Sequence, residues 1–193
     1  MKNNNIEIEA RFLDIDIKKV HKKILEIGGK DLGEDLFTEV ILYDKELTWK
    51  DQIKFFRIRY SKNGTFLALK HFQYGKKLHG AAKPVVKEIE LKVDDPEKTK
   101  AMLEDAGFIS YREQEKKRHS YELGDIILAV DTWPSTPPYL EIEGDSEKKI
   151  QEVAEKLGFK WEDAVFRGAG YIIEMYLPVT VRNLRYLTFS KIE

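Results

Sequence analysis

Apolar and polar residues alternate with a period of two in several short stretches of this chain. From Ile6 to Phe12, the residues Ile6, Ile8, Ala10 and Phe12 fall on one face of an extended strand, and Glu7, Glu9 and Arg11 fall on the other. Phe56 to Tyr60 alternates likewise, with Arg57 and Arg59 on its charged face. Val86 to Val93 carries Glu88, Glu90 and Lys92, and Glu115 to Leu123 carries Lys116 and Arg118. Phe37 to Asp44, Thr65 to Phe72, Ile126 to Asp131 and Tyr139 to Glu143 bring the predicted strands to about eight. Asn63-Gly64 is a hairpin turn signal leading into the strand that holds Lys70.

Elsewhere the period lengthens to that of a helix. Ile17, Val20, Ile24 and Ile27 precede Gly28-Gly29; Thr99, Met102, Leu103 and Ala106 follow Asp95-Pro96 and stop at Gly107; Ile150, Val153, Ala154 and Leu157 stop at Gly158. A strand–helix–glycine unit therefore occurs three times, each opening on Glu-Ile-Glu: Glu7-Ile8-Glu9, Glu88-Ile89-Glu90 and Glu141-Ile142-Glu143. Trp161 to Leu177 reads as a further amphipathic helix, and Gln73 to Pro84, rich in Lys and Gly, as a loop. Residues 1–177 are expected to form a single domain, with 178–193 as a C-terminal tail that packs on it or on a second subunit, so that a homodimer stays open.

Composition narrows the chemistry. The 193 residues are 42% hydrophobic and 35% charged, enough for one core, and the net charge of -1 advertises neither nucleic acid nor membrane. The absence of cysteine removes disulfides, zinc thiolates and thiol nucleophiles, and suits a cytoplasmic location. The four histidines, His21, His71, His79 and His119, include no pair at helical ligand spacing and are read as structural or surface residues. The Pro-rich stretch after Trp133 reads as a rigid turn.

Two structures satisfy strands with one apolar and one charged face. One is a half-buried antiparallel sheet whose charged face meets water. The other is a barrel with helices outside and charge within. The sorting of charges by sign favours the barrel: acids come as Glu7/Glu9, Glu88/Glu90 and Glu141/Glu143, bases as Arg57/Arg59 and Lys116/Arg118. Like charges on one strand need opposite partners across from them. Carboxylates without thiols suit a hard cation, Mg²⁺ or Mn²⁺, and alternate arginines suit phosphate oxygens. A small-molecule polyphosphate is the natural occupant of such a lumen.

This ordered set of Glu-x-Glu, Arg-x-Arg, inward Lys70, second Glu-x-Glu, Lys-x-Arg and late Glu-x-Glu resembles the CYTH superfamily, the triphosphate tunnel metalloenzymes, over roughly Ile6 to Tyr176. The resemblance implies an α+β fold, an eight-stranded antiparallel closed β-barrel forming a tunnel with helices packed on the outside. It implies Glu7, Glu9, Glu141 and Glu143 as metal ligands, with Asp131 as a further candidate. Arg11, Arg57, Arg59, Lys70, Lys116 and Arg118 would hold the triphosphate, and Glu88 and Glu90 would orient those bases or help a second metal. Glu7, Glu9, Arg59 and Lys116 are the expected catalytic set. Three departures stand out: Arg11 replaces the usual lysine, Val86 stands where many relatives place a base, with Lys83 or Lys87 nearby, and Met1 to Asn5 lacks the His-Phe pair of many class IV cyclases. The expected activity is a metal-dependent triphosphatase. The alternatives are an adenylyl cyclase that makes cyclic AMP and pyrophosphate from ATP, and a polyphosphate or nucleotide binding module without catalysis.

Overall fold

The structure, a computed structural model, describes residues 6–73 and 85–193, with the backbone alone at 6, 7, 73 and 85. The expected loop up to Pro84, with Lys83 and His79, lies outside the described residues beyond Gln73, as does the side chain of Glu7. In chain order the elements are β1 (Ile6–Phe12), α1 (Ile17–Glu26), β2 (Lys30–Asp44), α2 (Thr48–Asp51), β3 (Lys54–Ser61), β4 (Gly64–Gln73), β5 (Val85–Val93), α3 (Pro96–Asp105), β6 (Phe108–Leu123), β7 (Ile126–Thr132), β8 (Tyr139–Gly144), α4 (Glu147–Leu157), α5 (Ala169–Tyr176) and β9 (Tyr186–Leu187).

The three repeated units have the expected local chemistry. The Asp16 carboxylate accepts a hydrogen bond from Lys19 N and opens α1; Asp95 does the same for Lys98 N at α3, where Pro96 needs no partner for a missing N–H. Gly28, Gly107 and Gly158 close the helices at φ values of 91°, 93° and 88°, a left-handed conformation that a Cβ would strain.

Eight strands pair in the order β2-β3-β4-β5-β1-β8-β7-β6, all antiparallel, and β6 pairs back on β2 to complete a tunnel. The expected α+β barrel is present. Among the described residues, fourteen registered pairs join β2 to β6, and Ile6↔Lys87 and Glu7↔Val86 join β1 to β5, next to residues 1–5, which lie outside the described residues. The outward residues of β1, β7 and β8, including Ala10, Phe12, Leu128, Leu140 and Ile142, are buried under Val20 and Ile24 of α1 and Ile150, Val153 and Leu157 of α4. At about 25 cal/mol per Å² of apolar surface, this layer is the main force holding the helices to the barrel. The other half is covered more thinly: α2 sets Trp49 against Phe56 and Phe108, α3 buries no residue, and Ile89 and Leu91 on β5 are exposed.

Several boundaries differ from the expectation. β6 begins at Phe108, seven residues before Glu115, because its long pairing with β2 carries an irregular polar segment that lacks apolar alternation. The expected helix over 161–177 is a 3₁₀ turn at Trp161–Asp163 and then α5 from Ala169; between them, Val165 exchanges backbone hydrogen bonds with Arg11 at 3.1 and 2.8 Å, which a continuous α-helix would forbid. The tail beyond Pro178 packs on the barrel: Val181, Leu184 and Leu187 are buried with Trp133, Tyr139, Ile172 and Ile173, and β9 runs parallel to β6.

Candidate functional site: a charged tunnel

Strand alternation turns the charged face of nearly every barrel strand into the lumen. Ala10 and Phe12 face the helices, so Glu9 and Arg11 face inward; Leu140 and Ile142 do the same for Glu141 and Glu143. With Arg57 and Arg59 of β3, Lys70 of β4, Glu88 and Glu90 of β5, and Lys116 and Arg118 of β6, these side chains line a cavity of about 680 Å³. Nine basic and seven acidic described residues border it, so its surplus is positive although the whole chain is nearly neutral.

Acids and bases that are segregated along the sequence interleave in space. On one side Arg57 reaches Glu88 and Glu90, each at 3.0 Å, and Glu39 at 3.6 Å; Arg59 reaches Glu90 at 2.9 Å and Lys70 reaches Glu88 at 2.6 Å. The middle acidic pair therefore orients three bases. On the other side Arg11 bridges Glu9 at 2.7 Å and Glu141 at 2.8 Å, while Arg118 holds Glu141 at 2.6 Å and Asp131 at 2.6 Å. Lys116 completes this group at 2.9 Å from Asp131.

Some charges in this lattice are well matched. Burial alone would raise the Asp131 carboxyl, yet Arg118 and Lys116 outweigh it and hold the group below the usual carboxylate range. Both Asp131 oxygens are occupied by these cations, so this sequence-predicted metal candidate serves as a buried counter-ion. Glu141 is likewise depressed, burial being overcome by Arg11 and Arg118.

Other charges are not matched. Burial and the neighbouring Arg118 push the Lys116 ammonium down, and burial with Arg57 pushes Arg59 down. Among the described residues, the Nε–H groups of Arg11, Arg57 and Arg59 and the Oε1 oxygen of Glu39 are buried without a hydrogen-bond partner. Lys116 and Arg59 are thus the lumen cations least matched by negative charge. Elsewhere in the lumen, Glu9 and Glu143 are registered partners across β1 and β8. Glu143 has no ion pair among the described residues, and burial, then Glu141 and Glu9, push its carboxyl above the usual range. Two opposed carboxylates with one short of a cation fit a hard divalent ion, with oxygen donors only. Glu7 lies in β1 beside them in sequence, with its side chain outside the described residues.

Sequence reasoning missed Glu39, Arg112, Gln114, Tyr139 and Arg167, all of which line the cavity. Arg112 donates to Gln114 at 2.9 Å, and Gln114 to Glu39 at 2.6 Å, so these three form one buried chain. The alternate spacing of Arg112, Gln114, Lys116 and Arg118 was the available signal. Trp133, read as part of a turn, is buried at the cavity wall with its ring N–H donating to Tyr139.

The fold and lumen define a class: an antiparallel β-tunnel whose inside is lined by paired charges. Within that class the chain belongs to the CYTH domain family, whose model matches residues 5–168. It is 25% identical over 151 residues to a Methanocaldococcus jannaschii protein named "Putative adenylate cyclase", covering 78% of this chain and 81% of that relative. A solved protein of Pyrococcus horikoshii has the same fold at TM-score 0.67 and 23% identity, covering 89% of this chain and 99% of its own. A Hippeastrum protein described as a "Putative adenylyl cyclase" with a dominant triphosphatase activity matches at TM-score 0.60 and 16% identity, covering 89% of this chain and 96% of its own. No helix among the described residues is long and apolar enough to cross a membrane.

Proposed function

We propose that this protein is a divalent-metal-dependent triphosphatase acting on inorganic tripolyphosphate or a nucleoside or other organic triphosphate. One observation carries this reading: a single cavity holds cations short of anions, Arg59 and Lys116, and a carboxylate short of a cation, Glu143, registered against Glu9. A metal-bound polyphosphate satisfies both sides at once, whereas a neutral or monoanionic ligand leaves one side unmet. Glu9 and Glu143 would hold Mg²⁺ or Mn²⁺, with Glu7 and Glu141 beside them as further candidates. When bound, that ion would supply Lewis-acid charge neutralisation at phosphate oxygens.

The chain's own residues perform the remaining tasks. Arg57, Arg59, Lys70, Lys116 and Arg118 leave part of their carboxylate pairing to grip phosphate oxygens, and the buried Nε–H donors become useful in the same movement. As a water adds in line to the terminal phosphorus, the bond to the bridging oxygen breaks. The charge gathering on the leaving oxygen falls on the fixed guanidinium and ammonium groups. The activity described for the Hippeastrum protein supports this reading.

A second reading, adenylyl cyclase, is favoured by the name of the Methanocaldococcus relative and by one observation: Tyr43, Phe55, Phe72 and Trp133 also border the cavity and give it an aromatic flank that suits a nucleobase. The test is product identification after incubation with tripolyphosphate or ATP and Mg²⁺ or Mn²⁺. Orthophosphate is the expected product. Cyclic AMP with pyrophosphate would establish the cyclase instead, and binding without turnover would leave a non-catalytic polyphosphate or nucleotide module.

A further inference from the structure

Outside the lumen, three elements bring metal-ligating groups together: His21 from α1, Asp31 from the start of β2 and His119 from the outward face of β6. We propose that His21, Asp31 and His119 form a separate site for a first-row transition ion of the Zn²⁺ type, which fastens α1 to the β2–β6 edge. One ligand atom from each residue lies within 4.8 Å of the other two. The donor set of two imidazoles and one carboxylate suits a borderline ion better than Mg²⁺, which prefers oxygen alone.

The surroundings are those of ligating imidazoles. His119 Nε2 lies 2.6 Å from Asp31 Oδ1, while its Nδ1 lies 3.9 Å from Glu34 Oε1. Nε2 thus already faces the Asp31 donor, and Glu34 adds negative charge near the other ring nitrogen. His21 is held through Nδ1 by the Tyr121 hydroxyl at 2.8 Å, which leaves Nε2 as its donor. The His119 ring stacks on Tyr121 with centroids 4.7 Å apart, and the His21 ring stands edge-on to His119 at 5.6 Å. Gly33 N donates to Asp31 Oδ1 at 2.7 Å and fixes the third donor.

A His119–Asp31 ion pair alone would account for two of these residues and makes no use of His21, which Tyr121 holds beside them. Tetrahedral coordination at ~2.0–2.2 Å requires the three donors to stand somewhat over 3 Å apart. The half-exposed Asp31 and His119 side chains can reach that spacing by small rotations, with a water as fourth ligand. The ion, Asp31 and the nearby Glu34 then sum to no net charge.

The test uses the full chain in excess Mg²⁺, which keeps the lumen carboxylates occupied, with Zn²⁺ as the added probe. Calorimetry is expected to show one equivalent bound, and imidazole NMR signals of His21 and His119 are expected to shift while those of His71 do not. Zn²⁺ at a hundredfold its dissociation constant should raise the Tm by roughly 5–10 °C. His21→Asn and His119→Asn should each weaken Zn²⁺ binding at least about tenfold. Unchanged affinity in both variants, or loss of the Zn²⁺ response in Glu143→Gln, overturns the proposal. If the histidine variants do not fold, the wild-type spectra decide: ring signals of His21 and His119 that Zn²⁺ does not move refute it.

Discussion

Asp131→Asn separates a buried counter-ion from a metal ligand. Asp131 is fully buried, with Oδ1 accepting from Arg118 Nε at 2.6 Å and Oδ2 from Arg118 Nη2 at 2.7 Å and Lys116 Nζ at 2.9 Å. The amide keeps one acceptor and turns the other position into a donor facing two cations. Removing one partner of a buried ion pair costs about 3–5 kcal/mol. Arg118 keeps Glu141 at 2.6 Å, so the lower end applies, about 3 kcal/mol, or a Tm fall of roughly 6–12 °C. Urea unfolding of the metal-free protein near neutral pH measures it. Tripolyphosphate should narrow the gap between variant and wild type, because the freed Lys116 and Arg118 gain phosphate oxygens. Asp131 is held below its ordinary range, so its contribution is present above the unfolded value and is lost as pH falls through the folded one. The gap should therefore also close in acid. A loss under about 1 kcal/mol without metal, with a penalty appearing only when Mg²⁺ is added, would refute the counter-ion argument.

Two further outcomes follow from the same lattice and one from the packing of the tail. Glu143→Gln should stabilise the metal-free protein at neutral pH by about 0.2–1 kcal/mol, since it removes a like charge opposite Glu9, while weakening Mg²⁺ binding in a calorimetric titration. Because the folded Glu143 carboxyl is raised, the wild type should lose stability as pH rises through that value, a slope the variant lacks. Arg59→Met should raise KM for tripolyphosphate about 10–100-fold, by loss of one charge-assisted contact, with an unchanged circular dichroism spectrum. Leu187→Ala should cost about 2–5 kcal/mol in chemical denaturation, because this tail residue is fully buried against the barrel.

Much of the fold was legible because alternation and glycine stops are local. Glu7-Ile8-Glu9 and its two counterparts marked the strands, and Gly28, Gly107 and Gly158 marked the helix ends. The lumen was legible in outline through Arg57/Arg59 and Lys116/Arg118. What the sequence hid was register. Glu39 reads as one acid among apolar residues until β3 and β6 place Arg57 and Gln114 against it. Runs of like sign call for opposite partners across the sheet, and register decides which: Lys70↔Glu88 and Arg118↔Asp131 meet across neighbouring strands. The tail was expected on the barrel or on a second subunit; its partners were hidden because Val181, Leu184 and Leu187 show no regular period and gain their burial from Trp133 and Tyr139 far earlier in the chain.

Helix cover stops at the seam between β1 and β5, and this divides the barrel into something like a pair of jaws. The long β2–β6 ladder is the hinge side, and the seam between helix-covered β1 and bare β5 is where the jaws would part. Glu9 and Glu143 ride on one jaw; Arg57, Arg59, Lys70 and their carboxylates ride on the other. Amides along this edge should exchange with deuterium through local opening, while those of the β2–β6 ladder wait for global unfolding. A ligand that joins metal to polyphosphate spans the gap, so its arrival should slow exchange at the edge and leave the hinge side unchanged.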